Sequence, residues 1–289
     1  MPATDTSPTT HRSMEPSGRC TLEEAMQNSS LVKSLEKLNL QVDQSPEFVD
    51  TKGQIASLVA RLQNLPTKPP SLYIDLEGIN LSRHGSISIL QIYVLPHKET
   101  YIVDIRSLQE KAFLQTASEK GQTLLSILES PHIPKVFFDV RNDSDALFSH
   151  FNVKLAGVID LQLMELATSL FPRRYVSGLA KCIERDALLT THESQLWKAS
   201  KEKGLKLFAP EHGGSYDVFD VRPLPDDIME YCVQDVRFLP RLWVQYNQNI
   251  SLSWAEKVTT ETLNRVKHSQ TAIYDGKGRW KAQVPVGWW

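Results

Sequence analysis

Three apolar segments separated by short polar turns place the strongest constraint on how this chain can fold. Each is rich in β-branched and aromatic residues, and they span 71–78 (SLYIDLEG), 86–95 (SISILQIYVL) and 100–105 (TYIVDI). A helical pattern follows at about 108–129, then a strand pattern at 135–140 (KVFFDV) and a helical one at 143–151. Three consecutive strands followed by strand–helix alternation predict an α/β fold, a mixed sheet flanked by helices on both faces.

The rest of the sequence divides the chain into four predicted parts. Residues 1–20 are rich in Ser, Thr and Pro and have no periodicity, which predicts a disordered tail. Residues 21–44 predict an N-terminal helical segment, and residues 248–289 predict a C-terminal helix and tail. The main domain would occupy residues 45–247, where Thr51 is the predicted N-cap of the first helix.

Composition excludes several classes of protein. The 289 residues carry a formal net charge of −2, so contact with nucleic acid would need a local basic patch or metal ions. Three scattered cysteines exclude a disulfide framework and a cysteine zinc site, and they indicate a reducing compartment. The sequence shows neither the apolar core of a signal peptide nor an apolar run of about 18 residues. We therefore expect an intracellular protein, in the nucleus or the cytoplasm, without a membrane partner.

Two carboxylates, Asp75 and Glu77, stand at the end of the first apolar segment. In a strand, residues two apart point to the same face and lie about 6.5–7 Å apart. Two carboxylates this close repel each other, and one tends to stay protonated unless a cation lies between them. A strand end that is open to solvent would instead leave both charges harmless, and the pair alone does not distinguish these alternatives.

Further acidic residues follow two later elements. Asp143 comes directly after the strand predicted at 135–140, where an aspartate serves as a helix N-cap or projects over the carboxyl edge of the sheet. Asp139, expected inside that strand, and Asp145, expected on the following helix, are its nearby competitors. Tyr231 and Asp235 are four residues apart, so they share one face of a predicted helix.

These residues resemble the three motifs of DEDDy-type 3′–5′ exonucleases, the group that includes RNase D and the Werner exonuclease domain. The motifs are Asp75 and Glu77 with one residue between them, Asp143 with Leu147 four residues on, and Tyr231-x-x-x-Asp235. The segment LKLFAPEHGGSYDVF, before the third motif, resembles a narrower group of exonuclease-domain proteins that is well represented in fungi. The resemblance implies an RNase H-like fold (ribonuclease H superfamily) for the predicted domain.

The same resemblance implies a function and a set of site residues. Asp75, Glu77, Asp143 and Asp235 would bind two Mg²⁺ or Mn²⁺ ions, which all-oxygen donor sets favour. Tyr231 would position the attacking water or help to deprotonate it. The expected reaction is removal of 5′-mononucleotides from the 3′ end of RNA or single-stranded DNA by a two-metal-ion mechanism.

Residues that contact the substrate are less sharply indicated. The resemblance places the terminal nucleotide against the backbone of Gly78, Ile79 and Asn80, which follow the first motif. Lys206 belongs to a lysine-rich helix that would follow a phosphate backbone or would simply be a solvated face. Arg222 would contact a phosphate or pair with a neighbouring acid.

Three interpretations remain open from the sequence. The chain is an active metal-dependent exonuclease, or a catalytically silent module of the same fold that serves as a nucleic-acid-binding or protein scaffold. Alternatively, the acids are caps and surface charges of an unrelated α/β protein. The complete set of four carboxylates and the tyrosine favours the enzyme.

Overall fold

The structure of the protein, a computed structural model, describes residues 45–116 and 121–288. The predicted disordered tail (1–20) and N-terminal helical segment (21–44) lie outside the described residues. All described residues belong to one compact unit, Val42–Trp289.

A six-stranded mixed sheet forms the centre of the described part of the chain. Its strands are β1 (Glu47–Val49), β2 (Leu72–Glu77), β3 (Ile89–Val94), β4 (Glu99–Asp104), β5 (Lys135–Phe137) and β6 (Val158–Asp160). Their order across the sheet is β1-β4-β3-β2-β5-β6. The three strands predicted in succession form the antiparallel pairs β2–β3 and β3–β4, and the remaining pairs are parallel. The predicted mixed sheet is confirmed.

Helices account for most of the remaining described residues. They are α1 (Lys52–Arg61), α2 (Ile105–Leu108), α3 (Lys111–Leu114), α4 (Leu124–Leu128), α5 (Arg141–Phe151), α6 (Leu161–Ala167), α7 (Leu179–Asp186), α8 (Thr191–Phe208), α9 (Asp226–Arg237), α10 (Leu239–Asn249) and α11 (Leu252–Ser269). Short 3-10 helices span Pro210–His212, Tyr216–Asp220 and Arg279–Ala282. Thr51 caps α1 as predicted, because its Oγ1 accepts a hydrogen bond from the Gln54 N–H at 3.3 Å.

The alternation of side chains along β2 separates two packed layers. Leu72, Ile74 and Leu76 are buried in an apolar cluster that includes residues of α1 and α5. Asp75 and Glu77 point to the opposite face, because successive strand residues alternate. On that face, apolar residues of β3 and β4 form a second cluster with residues of α8 and α9. The carboxylate-bearing face of β2 is therefore the face that α8 and α9 cover.

Some predicted boundaries are wrong. The helical pattern at 108–129 is divided among α2, α3 and α4. The strand predicted at 135–140 ends at Phe137, and Asp139, predicted to lie within it, has a φ of 63°. A positive φ is incompatible with an extended strand. The chain therefore turns at Asp139, and α5 begins at Arg141, earlier than predicted.

The C-terminal part of the chain packs onto the sheet layer. Helix α11 contacts α5, α6 and β6. The predicted domain boundary at 247/248 stays a prediction. Across the two described ranges, no helix is both long and apolar enough to pass through a membrane.

Candidate active site

The end of β2 supplies the first two carboxylates. Asp75 lies opposite Gln91 of β3, and Glu77 lies opposite Ile89, in the antiparallel register. Both acidic side chains are half-buried, so they are neither in open solvent nor sealed in the core. The alternative of a strand end with harmless exposed charges does not describe this pair.

Helix α9 brings Tyr231 and Asp235 to the same face of the sheet. Ile228, Cys232 and Val233 of this helix pack into the apolar cluster against β3 and β4. This packing fixes the rotation of α9, so Asp235 is turned towards β2 and is only 3% exposed. One oxygen from each of the Asp75, Glu77 and Asp235 carboxylates lies within 4.8 Å of the others.

Helix α5 contributes Asp143, and the neighbouring aspartates are engaged elsewhere. Asp139 binds Arg141 through Nε and Nη2 at 2.5 and 2.7 Å. Asp145 binds Arg83, with 2.7 Å between its Oδ1 and the arginine Nε. Asp143 Oδ1 is buried and has no hydrogen-bond partner among the described residues. Of the three candidates, Asp143 is therefore the one whose carboxylate remains available to a cation.

Asp143 is not the N-cap that one interpretation of the sequence suggested. The cap position of α5 belongs to Val140, and Asp143 is the third residue of the helix. Parallel pairing of β2 and β5 puts their carboxyl ends at one edge of the sheet. The first turn of α5 follows β5 at that edge, which brings Asp143 close enough to Asp75 for their charges to interact.

A buried aspartate outside the predicted set holds the turn before α5. Asp160, at the end of β6, accepts hydrogen bonds from the backbone N–H groups of Asp139 and Val140 at 3.1 and 3.4 Å. Its Oδ2 also accepts from Arg265 Nη1 at 2.8 Å. Sequence analysis missed Asp160 and Arg265. Nothing local indicates that Asp160 has a partner 105 positions away in the sequence.

Three carboxylates of the site, those of Asp75, Glu77 and Asp143, have raised pKa values. Burial, followed by repulsion from Asp143, Glu77 and Asp235, raises the pKa of Asp75 well above its usual value. Burial and then Asp235 raise the pKa of Glu77 to about 8. Burial and then Asp139 raise the pKa of Asp143 to about 7. Grouped carboxylates of this kind are stabilised in their charged form by a bound cation.

The structure adds Lys201, from α8, to this site. Its ammonium group forms an ion pair with Asp235 Oδ1 and lies 3.8 Å from the centre of the Tyr231 ring. Its positive charge lowers the pKa values of Asp75 and Glu77, against the larger effect of burial. Lys201 belongs to the lysine-rich helix that also carries Lys206, and its inward direction was not predicted from the sequence.

The predicted substrate contacts fall into two groups. Gly78, Ile79 and Asn80 continue directly from β2, and a Cβ on Gly78 would lie 2.2 Å from the Ser86 carbonyl oxygen. The N–H of Ile79 already donates to Ser86 Oγ at 3.3 Å, and Asn80 is exposed. This loop therefore lies beside the carboxylates.

Lys206 and Arg222 form ion pairs with other residues of the chain. Lys206 is exposed and pairs with Glu202 at 2.7 Å. Arg222 holds Asp104 through Nε and Nη2 at 2.9 and 2.5 Å. The structure thus pairs Arg222 with an acid, which is one of the two alternatives that the sequence left open. Contact of Lys206 and Arg222 with substrate stays a prediction.

A second group of possible metal ligands is already neutralised. Glu165, Cys182 and Asp186 approach one another within 4.8 Å. Arg185 binds both carboxylates, at 2.5 and 2.6 Å, and Arg173 also binds Glu165. These acids therefore form an ion-pair network with two arginines, and it is the cluster around Asp75 that offers carboxylate oxygens not paired with arginine.

Comparison with protein families decides the classification. A model of the 3′–5′ exonuclease family matches residues 46–250, which include all five motif residues. The chain belongs to the 3′–5′ exonuclease family. The family part of the resemblance is thereby confirmed, and membership supports nuclease activity. The curated proteins with which the sequence was compared include no match.

Solved structures place this exonuclease-family chain beside RNase D. RNase D from Trypanosoma brucei in complex with GMP is 25% identical, with a TM-score of 0.66 over 84% of this chain and 70% of that chain. The complex of that enzyme with RNA U12 is 24% identical, with a TM-score of 0.67 over 88% of this chain and 80% of that chain. Escherichia coli RNase D is 17% identical, with a TM-score of 0.52 over 80% of this chain and 52% of that chain. The predicted RNase H-like fold is confirmed.

Proposed function

We propose that this protein is a metal-dependent 3′–5′ exonuclease of the DEDDy type, acting on RNA or single-stranded DNA. The observation that carries the proposal is the convergence of Asp75, Glu77 and Asp235 within 4.8 Å. Asp143, whose buried Oδ1 has no partner among the described residues, lies close enough to interact electrostatically with Asp75. These residues come from two helices and a strand that are remote in sequence. Structural caps or surface charges would have no reason to meet in this way.

The donor set fits a pair of hard divalent cations. Asp75, Glu77 and Asp235 form a group of three carboxylates without histidine or cysteine, and Asp143, which lies outside that group of three, would supply a fourth. Carboxylate oxygens suit Mg²⁺ and Mn²⁺. The buried oxygen of Asp143 is left without a partner by the described residues, as expected for a ligand position. Two such ions supply an activated water and stabilise the leaving oxygen in phosphodiester cleavage.

Tyr231 is suited to position the attacking water with its hydroxyl group. Burial, and then the charges of Asp235, Glu77 and Asp75, raise the pKa of Tyr231 above its ordinary value. The phenol therefore keeps its proton at neutral pH and acts as a hydrogen-bond donor or acceptor.

The loop after β2 is the proposed contact for the terminal nucleotide. Gly78 lets the backbone pass close to Ser86, and Asn80 is exposed next to the carboxylates. RNase D from T. brucei forms a complex with GMP, which supports a ribonucleotide as the ligand that we propose for this chain. The narrower resemblance to fungal exonuclease-domain proteins and the intracellular location stay predictions.

The ion pair between Lys201 and Asp235 favours the second candidate, a catalytically silent module of the same fold. A lysine that neutralises a ligand carboxylate permanently would leave a scaffold that binds nucleic acid without cleaving it. The two candidates differ in whether Asp235 can exchange the ammonium for a metal ion.

A cleavage assay tests the proposal. Purified full-length protein is incubated with RNA and DNA oligonucleotides labelled at the 5′ or the 3′ end, with Mn²⁺, Mg²⁺ or EDTA. We expect early release of the 3′ label as a mononucleotide, stepwise shortening of 5′-labelled substrate, and no reaction in EDTA. Asp75→Ala and Asp235→Asn should abolish trimming, and Asp226→Asn, exposed on the same helix α9, should not. Undiminished trimming by either site variant would contradict the proposal.

A further inference from the structure

Lys201 contacts two members of the proposed catalytic set at once. Its ammonium pairs with Asp235 Oδ1 and lies 3.8 Å from the centre of the Tyr231 ring. Its side chain is 13% exposed, whereas those of Lys198, Lys203 and Lys206 on the same helix are 56%, 64% and 63% exposed. Lys201 is thus the inward-facing lysine of α8.

The packing of α8 against α9 holds Lys201 in this position. Gly204, three residues later and on the same face, lies so close to Tyr231 that a Cβ there would be 2.5 Å from the ring Cδ2. Phe208, one turn further on, packs edge-on against Tyr231 with 4.8 Å between ring centres. The lysine therefore reaches Asp235 because its helix is fixed against the tyrosine.

We propose that Lys201 is an internal counter-ion, which occupies the cation position at Asp235 in the metal-free protein and competes with a divalent ion for that carboxylate. This inference rests on the proposed metal site. The Lys201 ammonium and a metal ion would draw on the same carboxylate oxygen, Asp235 Oδ1, and two cations this close repel each other. In this proposal, metal entry weakens the ion pair and displaces the Lys201 ammonium from Asp235.

Two consequences follow for a positioning residue of this kind. Before metal binds, the ion pair with Lys201 holds the Asp235 carboxylate in place beside Asp75 and Glu77. When metal binds, displacement of Lys201 lowers the apparent metal affinity below that of the carboxylates alone. The lysine would thus set the metal concentration at which the site fills.

Binding of Mn²⁺ to the full-length protein without nucleic acid tests this inference. Lys201→Met keeps an unbranched side chain and removes the charge. Isothermal titration should show Mn²⁺ binding roughly tenfold or more tighter than in the wild type, because one repelling charge is lost. Lys203→Met removes an exposed lysine of the same helix and should leave the affinity unchanged.

Thermal unfolding separates competition from a merely structural role. If Lys201 competes with metal, Lys201→Met should show a larger rise in Tm on addition of Mn²⁺ than the wild type shows. If Lys201 had a purely structural role, Lys201→Met would lower the Tm by the same amount in EDTA and in Mn²⁺. Lys201→Gln keeps a hydrogen-bond donor without the charge, so it repeats the test if the methionine variant does not fold.

The outcomes of the two proposals are distinguishable. Wild-type affinity, or weaker binding of Mn²⁺, in both Lys201 variants overturns the counter-ion. Failure of the wild type and of both variants to bind Mn²⁺ overturns the proposed metal-dependent function instead. Binding by the variants alone supports the counter-ion in its strongest form, that of a silent site.

Discussion

Arg265 of the last long helix donates a hydrogen bond to Asp160, at the end of β6, across 2.8 Å in the buried interior. The two side chains are 4% and 0% exposed. Asp160 in turn holds the backbone of Asp139 and Val140, which lead into the helix that carries Asp143. A helix beyond the family match at 46–250 therefore supports the candidate active site.

This relationship predicts that Arg265→Met destabilises the protein by about 3–5 kcal/mol, because it leaves the charge of Asp160 buried and unpaired. Urea unfolding followed by circular dichroism measures the effect. Lys267→Met, exposed on the same helix, should change the free energy of unfolding by less than about 0.5 kcal/mol. Equal effects of the two substitutions would show that the pair does not support the turn.

The neighbouring aspartates of α5 should behave in opposite ways. Asp143→Asn should lower activity by more than about 100-fold while the fold is retained. Such a loss exceeds the roughly 10- to 100-fold loss typical of substitutions at residues that hydrogen-bond to metal ligands. Asp145→Asn should destabilise the protein by about 1–3 kcal/mol, since it weakens the charged bonds to Arg83. Steady-state nuclease rates and Tm values of both variants check this. Full activity of Asp143→Asn would exclude it as a ligand.

Stability in EDTA should fall as pH rises towards 8. The pKa of Glu77 is raised from 4.5 to about 8, and that of Asp143 from 3.8 to about 7. Between the unfolded and folded values the folded state binds more protons, so the free energy of unfolding decreases with increasing pH. Tm values from pH 5 to 8 should therefore decline in EDTA.

A matched variant isolates this effect from other titrations. Glu77→Gln removes one of the two groups, so its Tm should depend less on pH than that of the wild type. Saturating Mn²⁺ should also reduce the dependence, because the ion holds both carboxylates in their charged form. An identical slope for Glu77→Gln and wild type in EDTA would refute the raised pKa of Glu77.

Two glycines in helices should respond differently to alanine. At Gly204 a Cβ would lie 2.5 Å from the Tyr231 ring, so Gly204→Ala should cost about 1–3 kcal/mol and lower activity by displacing the tyrosine. At Gly53, in α1, nothing lies within 4 Å, so Gly53→Ala should stabilise by about 0.5–1 kcal/mol. Chemical denaturation of both variants, with nuclease rates, decides. A stabilised, fully active Gly204→Ala would contradict the close approach.

The sheet and the placement of three acidic residues, Asp75, Glu77 and Asp235, could be predicted because their signals are local. Alternation along β2 fixes which side chains share a face, and spacing by four fixes that Tyr231 and Asp235 do so. Residues near Asp143 and Asp145 in the sequence do not indicate which of the two is available to a cation, because Asp145 is bound by Arg83, 62 positions away. Patterns within a single element carry no information about such partners.

The inward direction of Lys201 could not be predicted for a related reason. Helix α8 contains four lysines, and their spacing alone does not indicate which one faces α9. The close approach of Gly204 to Tyr231 determines which face of α8 is turned towards α9. A glycine inside a helix indicates a close neighbour, but the sequence does not show which residue that neighbour is. The turn at Asp139 was missed because its left-handed backbone interrupts a segment of strand-like composition.

The most direct test of the account is an anomalous-scattering map from crystals of the wild-type protein soaked in Mn²⁺. We predict two manganese peaks, about 3.5–4 Å apart, in contact with the carboxylates of Asp75, Glu77, Asp143 and Asp235. A map with no peak at these carboxylates, at a Mn²⁺ concentration that supports cleavage, would contradict the account.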